Sequence, residues 1–123
     1  MKKLSEMTME ELSACLCKMA GPADNLFSDA AVCDAFDTAQ KRMPENPTIQ
    51  AAFSIFTSIL VPALMSEKHK GDTYAILSAQ SGDSVEEISA RNGMEVMKDL
   101  FTVFVLERDV QTIFRIGAEV RPE

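Results

Sequence analysis

Two long segments, residues 47–65 and 94–106, are apolar around more of a helix than one buried face needs. A surface helix needs an apolar stripe about 100° wide. Projected at about 100° per residue, both segments have arcs nearer 200°. Each arc must be covered from two sides, by other helices of the chain or by a second polypeptide. A chain of 123 residues is expected to form a single domain, residues 1–123, with one core. Whether that core is wide enough to hide both arcs decides what the rest of the surface is for.

Helix punctuation is frequent and strand patterning weak, so the chain is predicted to be all-α, a small bundle of about five to seven helices with two long central ones. Thr8 and Glu11 have the spacing of a capping box. The first helix then carries Met9, Leu12, Leu16 and Met19 on one stripe and is expected to stop near Ala20, at Gly21-Pro22. Residues 23–27 read as a turn. Ser28 reads as the cap of a second helix over about 29–42, with Val32, Cys33, Phe36 and Met43 inward. Lys41 and Arg42 sit in its last turn, where cations complement the helix dipole. Asn46-Pro47 reads as the start of the third helix. Its stripe is Ile49, Ala52, Phe53, Phe56, Ile59, Leu60 and Ala63, and Pro62 predicts a kink or break. Gly71 reads as closing that segment. Asp72 is expected to cap a short helix with Tyr74, Ile76 and Leu77. A turn at 81–83 and a second capping box, Ser84 with Glu87, precede another short helix ending at Asn92-Gly93. The last long helix has Glu95, Lys98, Asp99 and Thr102 as a narrow polar strip. Val110, Ile113, Phe114 and Ile116 suggest one more short helix, and residues 117–123 a loose tail.

Composition narrows the function classes. The chain is 46% hydrophobic and 25% charged, as globular proteins are. Its net charge of -7 repels phosphate backbones and anionic lipid, so neither nucleic acid nor a membrane surface is an expected partner. The longest apolar run, 51–65, is interrupted by Ser54, Thr57, Ser58 and Pro62 and falls short of the roughly 20 residues of a membrane span. No apolar stretch follows Lys2 and Lys3, so no signal peptide is expected. Cys15, Cys17 and Cys33 are odd in number and match neither a redox nor a zinc spacing, which suits reduced thiols in a cytoplasm.

Residues able to do chemistry are few. His69 is the one histidine. It reads either as a general base for a cysteine or as a cation at a helix C-terminus. Asp24, Asp29, Asp34 and Asp37 lack the alternating ligands and central glycine of a calcium loop. Asp34 and Asp37 read as a solvated helix face. No glycine-rich phosphate loop is present. The chain is therefore expected to be non-enzymatic, with no cofactor and no metal. Residues 72–92 resemble a helix-turn-helix in outline, but Glu86 and Glu87 would face the phosphates. An adaptor derived from such a motif, exposing Tyr74, Leu77 and Ile88 to a protein partner, is the alternative.

The expected contact surface lies on the over-wide arcs. Ile55 and Val61 fall off the inward stripe of the third helix, and Val96, Val103 and Val105 widen the last long one. These five are the predicted partner-binding residues. Eight methionines add adaptable apolar surface.

Two stretches carry a resemblance. The opening Lys3-Leu4-Ser5-Glu6-Met7-Thr8 and the segment from His69 through Ser78, followed by Ser84-Val85-Glu86-Glu87-Ile88, resemble a tail assembly chaperone family. Its members come from long-tailed phages and prophages of Gram-positive bacteria. The resemblance implies a small, helical, homo-oligomeric protein in the host cytoplasm. Its partner would be the tape measure protein, whose apolar helices it would cover until the tail tube displaces it. An apolar groove accepting a helix would serve that purpose without an active site.

Overall fold

The computed structural model describes residues 1–107 and 113–114. Among them the chain is all-helical, with no strand. A 3-10 turn, Leu4–Glu6, leads into α1 (Met9–Phe27) and α2 (Ala30–Arg42). α3 covers 49–64 as Ile49–Ile55, a wide π turn Phe56–Leu60 and Val61–Leu64. α4 (Lys70–Ser81) and α5 (Val85–Ala90) follow. α6 covers 93–106 as Gly93–Phe101 and a second π turn, Thr102–Leu106. α1 packs along α4, and α2 against the π turn of α3.

α1 starts as its sequence requires. Thr8 Oγ1 accepts from the Glu11 N–H at 3.2 Å, and Glu11 returns the bond to the Thr8 N–H at 3.0 Å. It does not stop at Gly21-Pro22. The helix passes through both and ends at Phe27, so residues 23–27 are its last turns rather than a connecting turn. Gly and Pro inside a helix together cost roughly 4 kcal/mol relative to Ala. Burying Leu26 and Phe27 is worth about 1.5–3 kcal/mol each, and both are buried with Met19 and Ala23. The apolar period continues unbroken through positions 12, 15, 16, 19, 23, 26 and 27, and the packing wins.

The next two helix starts fall later than the punctuation suggests. Ser28 closes α1, and Asp29 caps α2 by accepting from the Ala31 N–H at 2.9 Å. Thr48, not Asn46, caps α3, accepting from the Ala51 N–H at 3.0 Å. Pro44 and Pro47 therefore bracket a short non-helical link between α2 and α3.

Pro62 does not break α3. Proline offers no N–H to the turn before it, and the helix widens just upstream, where the Val61 N–H reaches back to the Phe56 carbonyl. The hydroxyls of Thr57 and Ser58 compete for the carbonyls of Ser54 and Ile55, which eases that widening. The wide turn has a packing consequence. Four residues overshoot one α-helical turn by about 40°, so Ala52, Phe56, Leu60 and Leu64 would drift off one face of a regular helix. Through the slower-winding π turn all four are buried. In α6 the Thr102 hydroxyl takes the Lys98 carbonyl at 2.9 Å, and the Glu107 N–H reaches Thr102.

α4 begins at Lys70, two residues before Asp72. His69 occupies its cap position, and Gly71 lies inside its first turn. Gly82, in the left-handed conformation at φ 85°, ends it. Ser84 and Glu87 form the second capping box. Asn92 opens α6 rather than closing α5. Arg91 fastens this corner with Asp83 at 2.8 Å and Asp99 at 3.1 Å. Gln80 is buried and donates to the Lys2 carbonyl and to Glu107, joining the N-terminal segment to the end of α6. No helix among the described residues is long and apolar enough to cross a membrane. Apart from residues 113–114, which are helical, the helix and the loose tail expected after residue 109 lie outside the described residues.

Candidate functional site

A groove of about 410 Å3 opens between α2, the 43–48 link, α3 and the end of α6. Phe36 and Phe104, with ring centroids 6.1 Å apart, belong to its floor, with Ala39, Ala52 and Leu60. Met43, Pro44 and Pro47 line the link side, and Val105 the α6 side. On the lips stand Ile49, 73% exposed, and Leu106, 54% exposed. Among the described residues, Glu45 is the one charged side chain in the lining. A concave, mostly apolar surface with a few polar groups is what a helix-binding groove requires.

The five residues predicted to face a partner divide sharply. Val105 is half-buried and lines this groove. Val96 and Val103 are core residues, 8% and 0% exposed, which corrects their assignment to a contact surface. The reason is that α6 is enclosed: Phe101 meets Phe53 and Phe56 of α3, while Phe104 meets Phe36 of α2. Ile55 and Val61 are half-buried and pack against the core, outside the groove lining. The chain itself thus covers most of both arcs. Neither lip residue is marked by the sequence pattern: Ile49 reads as part of the inward stripe, and Leu106 has no assigned side. The signal that could have found the groove is the pair Pro44 and Pro47, which denies helix to the link and leaves its apolar neighbours Met43 and Ile49 at an opening.

The second polar feature surrounds His69. Its side chain is 5% exposed. Nε2 lies 2.7 Å from Asp29 Oδ2, and Nδ1 lies 3.3 Å from Asp72 Oδ2. Lys68 Nζ stands 3.2 Å from the same Asp29 oxygen, and Asn25 donates to Asp72 Oδ1 at 3.2 Å. His69 is thus neither a helix C-terminal cation nor a base beside a thiol: both ring nitrogens face carboxylates. Those carboxylates sit at the starts of α2 and α4, where negative charge suits the helix dipole. The His69 bond, then the Ala31 N–H and Lys68, hold the Asp29 carboxyl down to about 2.

The three cysteines form no disulfide. Burial pushes the Cys15 thiol up. Cys17 is exposed, and the Cys33 thiol donates to the Phe27 carbonyl at 3.2 Å. No group of three or more His, Cys, Asp or Glu side chains among the described residues is placed to hold a metal ion. Asp34 and Asp37 are exposed on α2, as a solvated face would be. Leu77 and Ile88 are fully buried and Tyr74 half-buried, so α4 and α5 form a helical hairpin whose apolar residues face the core. No family model, curated protein or solved structure matches the chain.

Proposed function

We propose that this chain is a non-enzymatic helical binding protein whose groove between α2, α3 and α6 receives the apolar face of a helix from another polypeptide. The observation that carries this reading is an open apolar groove with two large aliphatic side chains, Ile49 and Leu106, held on its lips in water. Exposed aliphatics beside a concave apolar floor are disfavoured unless something covers them. Transferring apolar surface out of water gives about 25 cal/mol per Å2, enough for useful and reversible affinity without covalent chemistry. The acidic surface keeps such a protein dispersed while it carries that patch.

The family resemblance supplies the client. On that reading the protein is a tail assembly chaperone in the bacterial host cytoplasm, and the helix is a segment of the tape measure protein. Self-association rests on the resemblance alone, because burial of Val96 and Val103 removes the broad greasy face that argued for it.

The test is co-expression of the full chain with helical fragments of a tape measure protein. Retention of a fragment in solution by the natural chain, and its loss with Ile49→Glu combined with Leu106→Glu, is the expected result. Both positions are exposed, so the fold should survive. Failure to retain any fragment, or equal retention by the variant, would overturn the reading.

A further inference from the structure

The lone histidine is used by nothing in that reading, yet it is buried and held from two sides. Asp29 caps α2 with Oδ1 and meets the His69 ring with Oδ2. His69 itself occupies the cap position of α4, and Asp72 lies in the first turn of that helix. The ring therefore fastens the start of α2 to the start of α4. α2 is also the helix whose other end, Phe36 to Met43, walls the groove.

The charged groups around the ring are Asp29 from the α2 cap, Asp72 from α4, and Lys68 from the turn before α4. α1 contributes the neutral Asn25, which donates to Asp72, and Asp24, which accepts from Ser28. The exposed pair Lys70 with Glu67 lies at the same turn. An ionised carboxylate offers only acceptors. Two of them on opposite ring nitrogens require two N–H donors, which imidazolium has and neutral imidazole lacks. Asp29 is held ionised well below the usual carboxylate range, so it does not supply the missing proton.

We propose that His69 is a proton-dependent latch that fixes the start of α2, and so the position of the groove wall. With both protons the ring bonds both carboxylates. Loss of one proton keeps the shorter bond, to Asp29, but removes the attraction of the imidazolium charge for both carboxylates. Nδ1 then turns a lone pair toward Asp72 Oδ2. Raising the pH through the titration of the ring loosens α2, whatever occupies the groove.

Nuclear magnetic resonance on the full chain tests this directly. Ring nitrogen shifts report which nitrogens carry protons. Amide exchange at Ala31 and Val32, corrected for its intrinsic pH dependence, reports opening of the first turn of α2. Opening should rise roughly tenfold as the ring loses its charge and, with it, the attraction to Asp29 and Asp72. The resonances of Ala39 and Met43 should shift with the same midpoint. In Asp72→Asn, where an amide N–H can meet the neutral Nδ1, the rise should shrink. A ring that titrates while α2 opening stays flat would overturn the latch, as would a ring that never titrates in the folded chain. A rise unchanged in Asp72→Asn would assign it to another group, and unmoved Ala39 and Met43 would sever it from the groove.

Discussion

α3 and α6 have equally wide apolar arcs in the sequence, and the fold treats them differently. α6 lies between neighbours, with Val96, Leu100, Phe101, Val103 and Phe104 all buried and its two ends, Met94 and Leu106, in water. α3 buries Ala52, Phe56, Leu60 and Leu64, keeps Phe53, Ile55, Ile59 and Val61 half-covered, and leaves Ile49 in water. The lesson is that arc width measures how much covering a helix needs and says nothing of who provides it. The helix with neighbours on both sides is satisfied internally through its middle. The helix beside a proline-bracketed link keeps an open end, and that end is where we propose that a partner is accommodated.

The contrast can be broken or sharpened by substitution. The largest effect is expected at Phe104→Ala, where loss of a fully buried ring should lower stability by about 3–5 kcal/mol in chemical denaturation. The half-buried Val61→Ala should cost less, about 1 kcal/mol, the usual size of a single substitution. If Val61→Ala costs as much as Phe104→Ala, the two arcs are buried alike and the contrast fails.

Acid approaches the same contrast through the helix starts. Folding depresses Glu11, held at about 2 by the Thr8 N–H and then Lys2, and Asp29, also at about 2 through His69. Both ionise more readily folded than unfolded. Their contribution is therefore complete above the ordinary carboxylate range and is lost as the pH falls toward about 2. An acid titration followed by circular dichroism should show that loss, and Asp29→Asn should flatten part of it. The smallest effect is expected at Ile49→Ser, within about 0.5 kcal/mol of the natural chain, with binding of an apolar helix nonetheless weakened.

Much of the fold was legible because it rests on local chemistry. The capping boxes at Thr8 and Ser84 and the turn at Gly82 form as their residues require. What misled were local signals overruled by distant packing. Gly21-Pro22 reads as a stop, but Leu26 and Phe27 lie beyond it in the apolar period and pull the helix onward. Asn46-Pro47 reads as a start, but Thr48 offers the better-placed hydroxyl. The site was less legible. Val105, which the pattern turns outward, lies in the groove, whereas Val96 and Val103, which it also turns outward, lie within. Periodicity gives the angular position of a side chain on its helix, and only the placement of neighbouring helices decides whether that angle meets solvent. The His69 bridge joins residues 40 apart in sequence, a separation no local pattern encodes.

The most direct measurement is resonance mapping of the full chain titrated with an amphipathic helix carrying apolar residues at i, i+3, i+4 and i+7. The account predicts saturable shifts clustered at Ala39, Met43, Ile49, Val105 and Leu106, with the core around Leu77 and Ile88 undisturbed. Saturation with shifts centred on the α4–α5 hairpin, or no saturation at all, would contradict it.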